Sequence, residues 1–195
     1  MTKRYDRQYF DTWYRRRRIN THAEVRRKVM LALGVCEYFL RRPVRSVLDI
    51  GCGEGAWYPH LRVARRNVEY IGIDSSEYAL ERFGESRHLR KGSFGELRKV
   101  RGSFDLVVCS DVLHYLSNAE IRAGLPDLVR LTEGLAFIEV LTSEDDIVGD
   151  LDEIKRRPKE WYFSHFGRAG LTWVAPYCWL SRSLRENAAE LEAAD

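Results

Sequence analysis

The apolar positions of the chain follow two regimes. From Thr21 to Arg42, Val25, Val29, Met30, Leu33, Cys36, Phe39 and Leu40 recur at the spacing of one helix face, and Thr21 with Glu24 forms a capping box at the start. Pro43 ends that helix. Ahead of it, Arg4 to Arg18 places Tyr5, Tyr9, Phe10, Trp13 and Tyr14 in an i, i+4, i+5, i+8, i+9 pattern, which predicts a helix with one aromatic face. From Arg45 onward short β-branched runs alternate with helical segments. Strands are predicted at Ser46 to Ile50, Val68 to Ile73, Arg87 to Lys91, Phe104 to Cys109 and Leu135 to Leu141. Helices are predicted at Ala56 to Arg66, with Pro59 in the first turn, at Ser76 to Phe83, and from the capping box Ser117/Glu120 to about Glu133, with Gly134 as its C-cap. Lys159 to Ala169 reads as a last helix, and Leu171 to Leu180 as one strand or a tight hairpin broken at Pro176. Such alternation implies an α/β fold: a doubly wound, mostly parallel sheet with helices on both faces. Residues 1–44 form a helical extension, and residues 45–195 the α/β domain.

At 195 residues with 45% apolar content, the chain has the size of one domain and enough for one core. The longest reach without a charged side chain, Ala169 to Ser181, holds thirteen residues and a proline, short of the roughly 20 that span a bilayer. The arginine-rich start offers no apolar h-region, so a cytoplasmic protein without a membrane partner is expected. Cysteines at 36, 52, 109 and 178 make neither a CxxC pair nor a disulfide framework, and no metal is expected. The net charge of +3 is uneven: residues 1–45 hold thirteen Lys/Arg against four Asp/Glu, a local +9, which leaves −6 on the remainder. The basic segment suits either a solvated helix face or an anionic ligand.

The chemistry concentrates where the first strand runs into a glycine-rich turn, Val47-Leu48-Asp49-Ile50-Gly51-Cys52-Gly53-Glu54-Gly55. Glycines at alternate positions let the backbone turn sharply and let a ligand approach, and the following helix presents free N–H groups. Asp74 lies 23 residues after Gly51, at the end of the second strand, where a carboxylate can accept hydrogen bonds from both hydroxyls of a ribose. Gly51, Gly53 and Ala56 also satisfy the dinucleotide fingerprint G-x-G-x-x-G/A. Asp49 separates the readings, because a dinucleotide fold usually has an apolar strand residue there.

The whole set resembles a class I S-adenosylmethionine-dependent methyltransferase. Val47 to Gly55 is similar to the family's first motif, Ile71-Gly72-Ile73-Asp74-Ser75-Ser76 to its second, and Phe104 to Leu116 to its fourth strand and the turn after it. The resemblance covers about Arg45 to Leu141. It implies S-adenosylmethionine as cofactor, with Gly51 and Gly53 near its methionine part, Asp49 holding the amino group, Asp74 at the ribose, Ser75 a further cofactor contact, and Ser110 at the end of strand four beside the cofactor. Ser93 and Phe94 stand where the family often has an acidic residue for the adenine, a departure that leaves a hydroxyl and a backbone N–H for that task.

A sulfonium methyl is already activated, so the protein needs chiefly to align the acceptor and present it without a blocking proton. Strand four ends in Cys109-Ser110-Asp111-Val112 rather than the Asn/Asp-Pro-Pro-aromatic signature of enzymes that methylate nucleic-acid amino groups, and no Pro-Cys pair follows. His114 is the base candidate, with packing or capping as its other reading, and Glu139 is a candidate substrate contact at the carboxyl edge of the sheet. His165, among Trp161, Tyr162, Phe163 and Phe166, reads as part of a packed helix face. The aromatic N-terminal face reads as a packed helix or as a lid with Tyr9, Trp13 and Tyr14 facing the substrate. Transfer to an oxygen or nitrogen of a small molecule is the expectation, and if the segment is a lid the arginines beside it suggest an anionic acceptor. An RNA methyltransferase using the basic segment and a non-catalytic or nicotinamide-binding relative are the alternatives.

Overall fold

The computed structural model describes residues 5–17, 19–146, 150, 152–186 and 188–189. Arg4 and Arg18, the ends of the first expected helix, lie outside the described residues.

Five parallel strands form the centre: β1 (Ser46–Ile50), β2 (Glu69–Asp74), β3 (Leu89–Lys91), β4 (Phe104–Ser110) and β5 (Thr132–Glu139). The final hairpin, β6 (Thr172–Ala175) and β7 (Cys178–Leu180), adds β7 antiparallel to β5, giving the order β3-β2-β1-β4-β5-β7-β6. Successive strand residues point to opposite faces, and the core divides accordingly. Leu48, Val107, Ala136 and Ile138 pack with Ile121, Leu125 and Leu128 of α5 (Asn118–Leu131) and with Tyr162 and Phe166 of α6 (Lys159–Arg168). Val47, Leu106, Val108 and Phe137 pack with Val29, Leu33 and Cys36 of α2 (His22–Leu40) and with Trp57 and Leu61 of α3 (Trp57–Ala64). The helix α4 (Glu77–Phe83) follows β2 and is capped by Ser76. Burial on both faces explains why β4 reads as a strongly apolar run from Leu106 to Cys109.

Both predicted capping boxes form, at Thr21/Glu24 and at Ser117/Glu120. Gly134 is a correction. The helix α5 ends at Leu131 and β5 begins at once, so Gly134 lies inside the strand, where a Cβ would sit 2.3 Å from the Asp105 carbonyl oxygen. Close strand approach, not helix capping, requires glycine there. The N-terminal segment also departs from a regular helix: α1 (Arg7–Phe10) passes into a π-helix over Asp11–Arg16, with the Arg17 N–H donating to the Thr12 carbonyl.

The sheet order reverses between β1 and β4, and in such sheets ligands bind outside the carboxyl ends of the strands at that point. Asp49, Gly51, Asp74, Ser110 and Glu139 all lie at or just beyond those ends.

Candidate active site

The turn after β1 is held by two hydrogen bonds, as Gly51 N–H (2.8 Å) and Cys52 N–H (3.1 Å) donate to the Ile73 carbonyl. Gly51 adopts φ +66°, and a Cβ there would lie 2.4 Å from Val112 Cγ2, so neither conformation nor space admits a side chain. Across the turn, the Asp74 carboxylate accepts from Gly53 N–H at 2.7 Å and from Ser76 N–H at 2.8 Å. Burial pushes the Asp74 pKa up, and these backbone bonds oppose the rise. Each carboxylate oxygen can accept more than one bond, so Asp74 can still receive ribose hydroxyls.

The turn and Asp74 form one wall of a cavity of about 170 Å3. Ser75, Ser93, Phe94 and Ser110 continue that wall, so every expected cofactor contact except Asp49 meets here. Asp49 faces a smaller adjoining hollow of about 40 Å3 together with Gly51, Ser110 and Asp111. It is buried, its Oδ2 takes a 2.7 Å bond from the Tyr70 hydroxyl, and burial pushes its pKa up to about 7. A buried carboxylate so placed is the complement of an ammonium. These two acceptors therefore fit S-adenosylmethionine, Asp49 matching its amino group and Asp74 its ribose hydroxyls.

The opposite wall is the N-terminal segment, which contributes Tyr5, Tyr9, Phe10 and Tyr14. Phe10 is 2% exposed and lies over the glycine turn, its Cε1 3.3 Å from where a Gly53 Cβ would be. Arg15 donates to Glu54 at 2.6 Å, and the Ser76 hydroxyl donates to the Tyr5 carbonyl. Trp13 is a correction: it lines neither the cofactor cavity nor the cleft described next, and its ring lies beneath the Arg17 guanidinium, 5.0 Å from the ring centroid, beside a surface hollow. Within the π-helix over Asp11–Arg16, Trp13 turns to the surface while Tyr14, the next residue, lines both cavities.

A second cleft, of about 460 Å3, adjoins the first and shares Tyr9, Tyr14, Asp111 and Tyr115 with it. His114 and Glu139 both line it. His114 is 1% exposed, and its Nδ1 accepts the Leu141 N–H at 3.4 Å, which ties the turn after β4 to the end of β5. Glu139 takes a 2.7 Å bond from Lys28 Nζ and one from the Ser110 hydroxyl. Burial raises the Glu139 pKa, with Asp111 adding to the rise and Lys28 opposing it. Lys28 also donates to Asn20 (2.8 Å), which in turn donates to Asp111 (2.9 Å). This chain joins the N-terminal segment to the strand ends. Its members Asn20, Lys28 and Asp111 were not singled out by the sequence, although Asp111 lies inside the strand-four motif. His165 stacks on Trp161 at 3.8 Å between centroids, as a packed residue. The four cysteines are free, and Cys36, Cys109 and Cys178 are buried. No helix of the described residues is long and apolar enough to cross a membrane.

A mostly parallel sheet with a cavity at its switch point defines a Rossmann-like α/β domain. Residues 47–133 match the model of a methyltransferase domain. The match covers just under half of the chain, and a methyltransferase that shares the fold was solved with S-adenosylmethionine and with S-adenosylhomocysteine bound. A small RNA 2'-O-methyltransferase of Schizosaccharomyces pombe is 33% identical over 101 residues, a match that covers 49% of this chain and 27% of that protein. Among solved structures, Streptomyces venezuelae DesVI superposes with a TM-score of 0.66 at 16% identity, covering 89% of this chain and 96% of that one. The sugar N-methyltransferase KedS8 from Streptoalloteichus gives 0.65 at 15%, covering 80% and 87%. Magnesium protoporphyrin IX methyltransferase from Synechocystis, solved with S-adenosylmethionine, gives 0.57 at 18%, covering 89% and 91%.

Proposed function

We propose that this chain transfers a methyl group from S-adenosylmethionine to an oxygen or nitrogen of a small molecule seated in the larger cleft. The observation that carries the reading is the junction of the two cavities beneath one cover, with Tyr9, Tyr14, Asp111 and Tyr115 common to both. When bound, the cofactor supplies a methyl group already activated on a sulfonium. The residues then have three tasks. Asp49 and Asp74 hold its two polar ends, with Ser75, Ser93 and Phe94 along the nucleoside and Ser110 beside the methionine part. The aromatic segment excludes water and fixes the acceptor's approach. Glu139, with the higher proton affinity that burial confers, is the group to receive the acceptor's proton. His114 positions the turn through Leu141 and presents its ring to the cleft.

The arginines that suggest an anionic acceptor are placed otherwise. Arg15 pairs with Asp11 and Glu54, Arg7 pairs with Asp11, and among the described arginines of residues 5–17 only Arg17 lines the cleft. An RNA acceptor is the second reading, favoured by the match to the yeast RNA methyltransferase. Incubating the full-length protein with methyl-labelled S-adenosylmethionine against a panel of small alcohols and amines and against short RNA separates the two. Label in a small molecule supports the proposal; label in RNA alone overturns it. Deleting residues 1–18 is expected to leave much of the cofactor affinity and to abolish transfer.

A further inference from the structure

The larger cleft is lined by four carboxylates, Glu24, Asp111, Glu139 and Asp150, against two cations, Arg17 and Lys28. Most of these charges are already engaged. Glu139 holds Lys28 at 2.7 Å, Glu24 closes the capping box with Thr21, and Arg17 lies against Trp13 at the rim. Asp111 differs. It is the one carboxylate among the described residues that lines both the cleft and the cofactor cavity, and its Oδ2 accepts from a neutral donor, Asn20 Nδ2, at 2.9 Å. It adopts a left-handed conformation, φ +60°, which turns it off the end of β4. Tyr9, Tyr14 and Tyr115 line both cavities with it. Their hydroxyls are held protonated by burial, with Asp111 adding to the rise at Tyr14 and Asp150 adding at Tyr9 and Tyr115. Aromatic rings around a carboxylate make a surface that attracts a cation and repels an anion.

We propose that the acceptor is an amine, received as its ammonium by Asp111 between Tyr9, Tyr14 and Tyr115 at the junction of the two cavities. This rests on the methyl-transfer reading and adds the acceptor's class. A carboxylate or phosphate there would lie against Asp111, and a neutral alcohol would leave the charge of Asp111 without a use. In the reaction the ammonium gives one proton to a cleft carboxylate, which frees the nitrogen lone pair. That pair forms the bond to the methyl carbon while the carbon–sulfur pair withdraws to sulfur, leaving a neutral thioether. The product is a methylated ammonium, and the carboxylate returns its proton to water, so one proton is released for each methyl transferred.

The test uses the full-length protein saturated with S-adenosylhomocysteine and three probes of one shape: benzylamine, benzyl alcohol and benzoate. Benzylamine is expected to raise the melting temperature above that of the binary complex, and the other two are not. Asp111→Asn keeps an acceptor for Asn20 and suits the left-handed conformation, so it removes the charge with little else. It is expected to weaken benzylamine binding about 10- to 100-fold, the worth of a charge-assisted hydrogen bond, with the shift due to S-adenosylhomocysteine intact. Tighter binding of benzoate or benzyl alcohol, no binding of benzylamine, or equal benzylamine affinity in the variant overturns the amine proposal alone. Loss of the S-adenosylhomocysteine shift in the variant also overturns it, since Asp111 would then serve the cofactor. If S-adenosylhomocysteine has no effect on the native protein, the methyl-transfer reading itself fails and the amine proposal falls with it.

Discussion

The cover over the site hangs on one ring. Phe10 is 2% exposed, with Tyr9, Tyr14 and Tyr78 around it at centroid separations of 5.5, 5.3 and 5.6 Å. The other fastenings are weak by comparison. Arg15 and Glu54 form a surface pair with side chains 38% and 17% exposed, worth about 0.2 to 1 kcal/mol, and the bond from Ser76 to the Tyr5 carbonyl adds about 1 kcal/mol. Truncating a buried Phe to Ala costs about 3 to 5 kcal/mol. In Phe10→Ala most of that cost is avoided if the segment undocks, so the population of the open form is expected to rise about 100-fold while the sheet core stays folded. Trypsin reports this directly, because Arg15, Arg16 and Arg17 lie in the segment and cleavage under native conditions tracks the open population when closing is fast. The expected result is a rise in cleavage there of about 100-fold with a nearly unchanged urea midpoint. A cleavage rate within about twofold of the native protein's refutes the reasoning, since the segment would then be held by something other than Phe10. A large parallel fall in global stability refutes it differently, by making Phe10 part of the main core.

Three further outcomes follow from the same geometry. Asp74→Asn keeps one acceptor oxygen for two backbone donors, so both folding stability and S-adenosylhomocysteine affinity should fall, the latter by about 1 to 3 kcal/mol; unchanged affinity by calorimetry means the ribose is held elsewhere. Asp49 titrates at about 7 in the fold against 3.8 for an ordinary aspartate, so the folded state holds more protons across that window and stability falls as pH rises through it. A ligand ammonium favours its carboxylate form, so cofactor binding at pH 6 should release a proton and tighten from pH 5 to 7; calorimetry in buffers of different ionisation heat that shows proton uptake contradicts this. Gly51→Ala should cost more than about 1 kcal/mol, because a Cβ there would meet Val112 Cγ2 at 2.4 Å in a left-handed conformation, and an unchanged urea midpoint would show that the turn relaxes freely.

Much of this molecule is legible in local sequence because its signals are local. Two capping boxes, a proline stop and the period of the apolar runs fix α2, α5 and the strands, and the hairpin at Pro176 is one of the two expected forms of its segment. The glycine turn and Asp74 are legible for a similar reason: Gly51, Gly53 and Asp74 lie at the ends of β1 and β2, and parallel pairing of those strands brings them together. What stayed hidden depends on distant parts of the chain. Gly134 carries a capping residue's identity but answers to Asp105 on the neighbouring strand. Trp13 follows the aromatic spacing, yet in the π-helical stretch it lies against Arg17 while Tyr14 keeps to the cavity face. The Asn20–Lys28–Glu139–Asp111 chain links residues 91 and 111 positions apart, and no short window of sequence contains it.

The central claim is that the cavity at the sheet's switch point is an S-adenosylmethionine site. Titrating the full-length protein with S-adenosylhomocysteine and, separately, with NAD while following melting temperature tests it most directly, since a ligand that binds only the folded state raises the transition by mass action. The adenosyl compound is predicted to raise it and NAD to leave it in place. A rise with NAD and no response to the adenosyl compound contradicts the account.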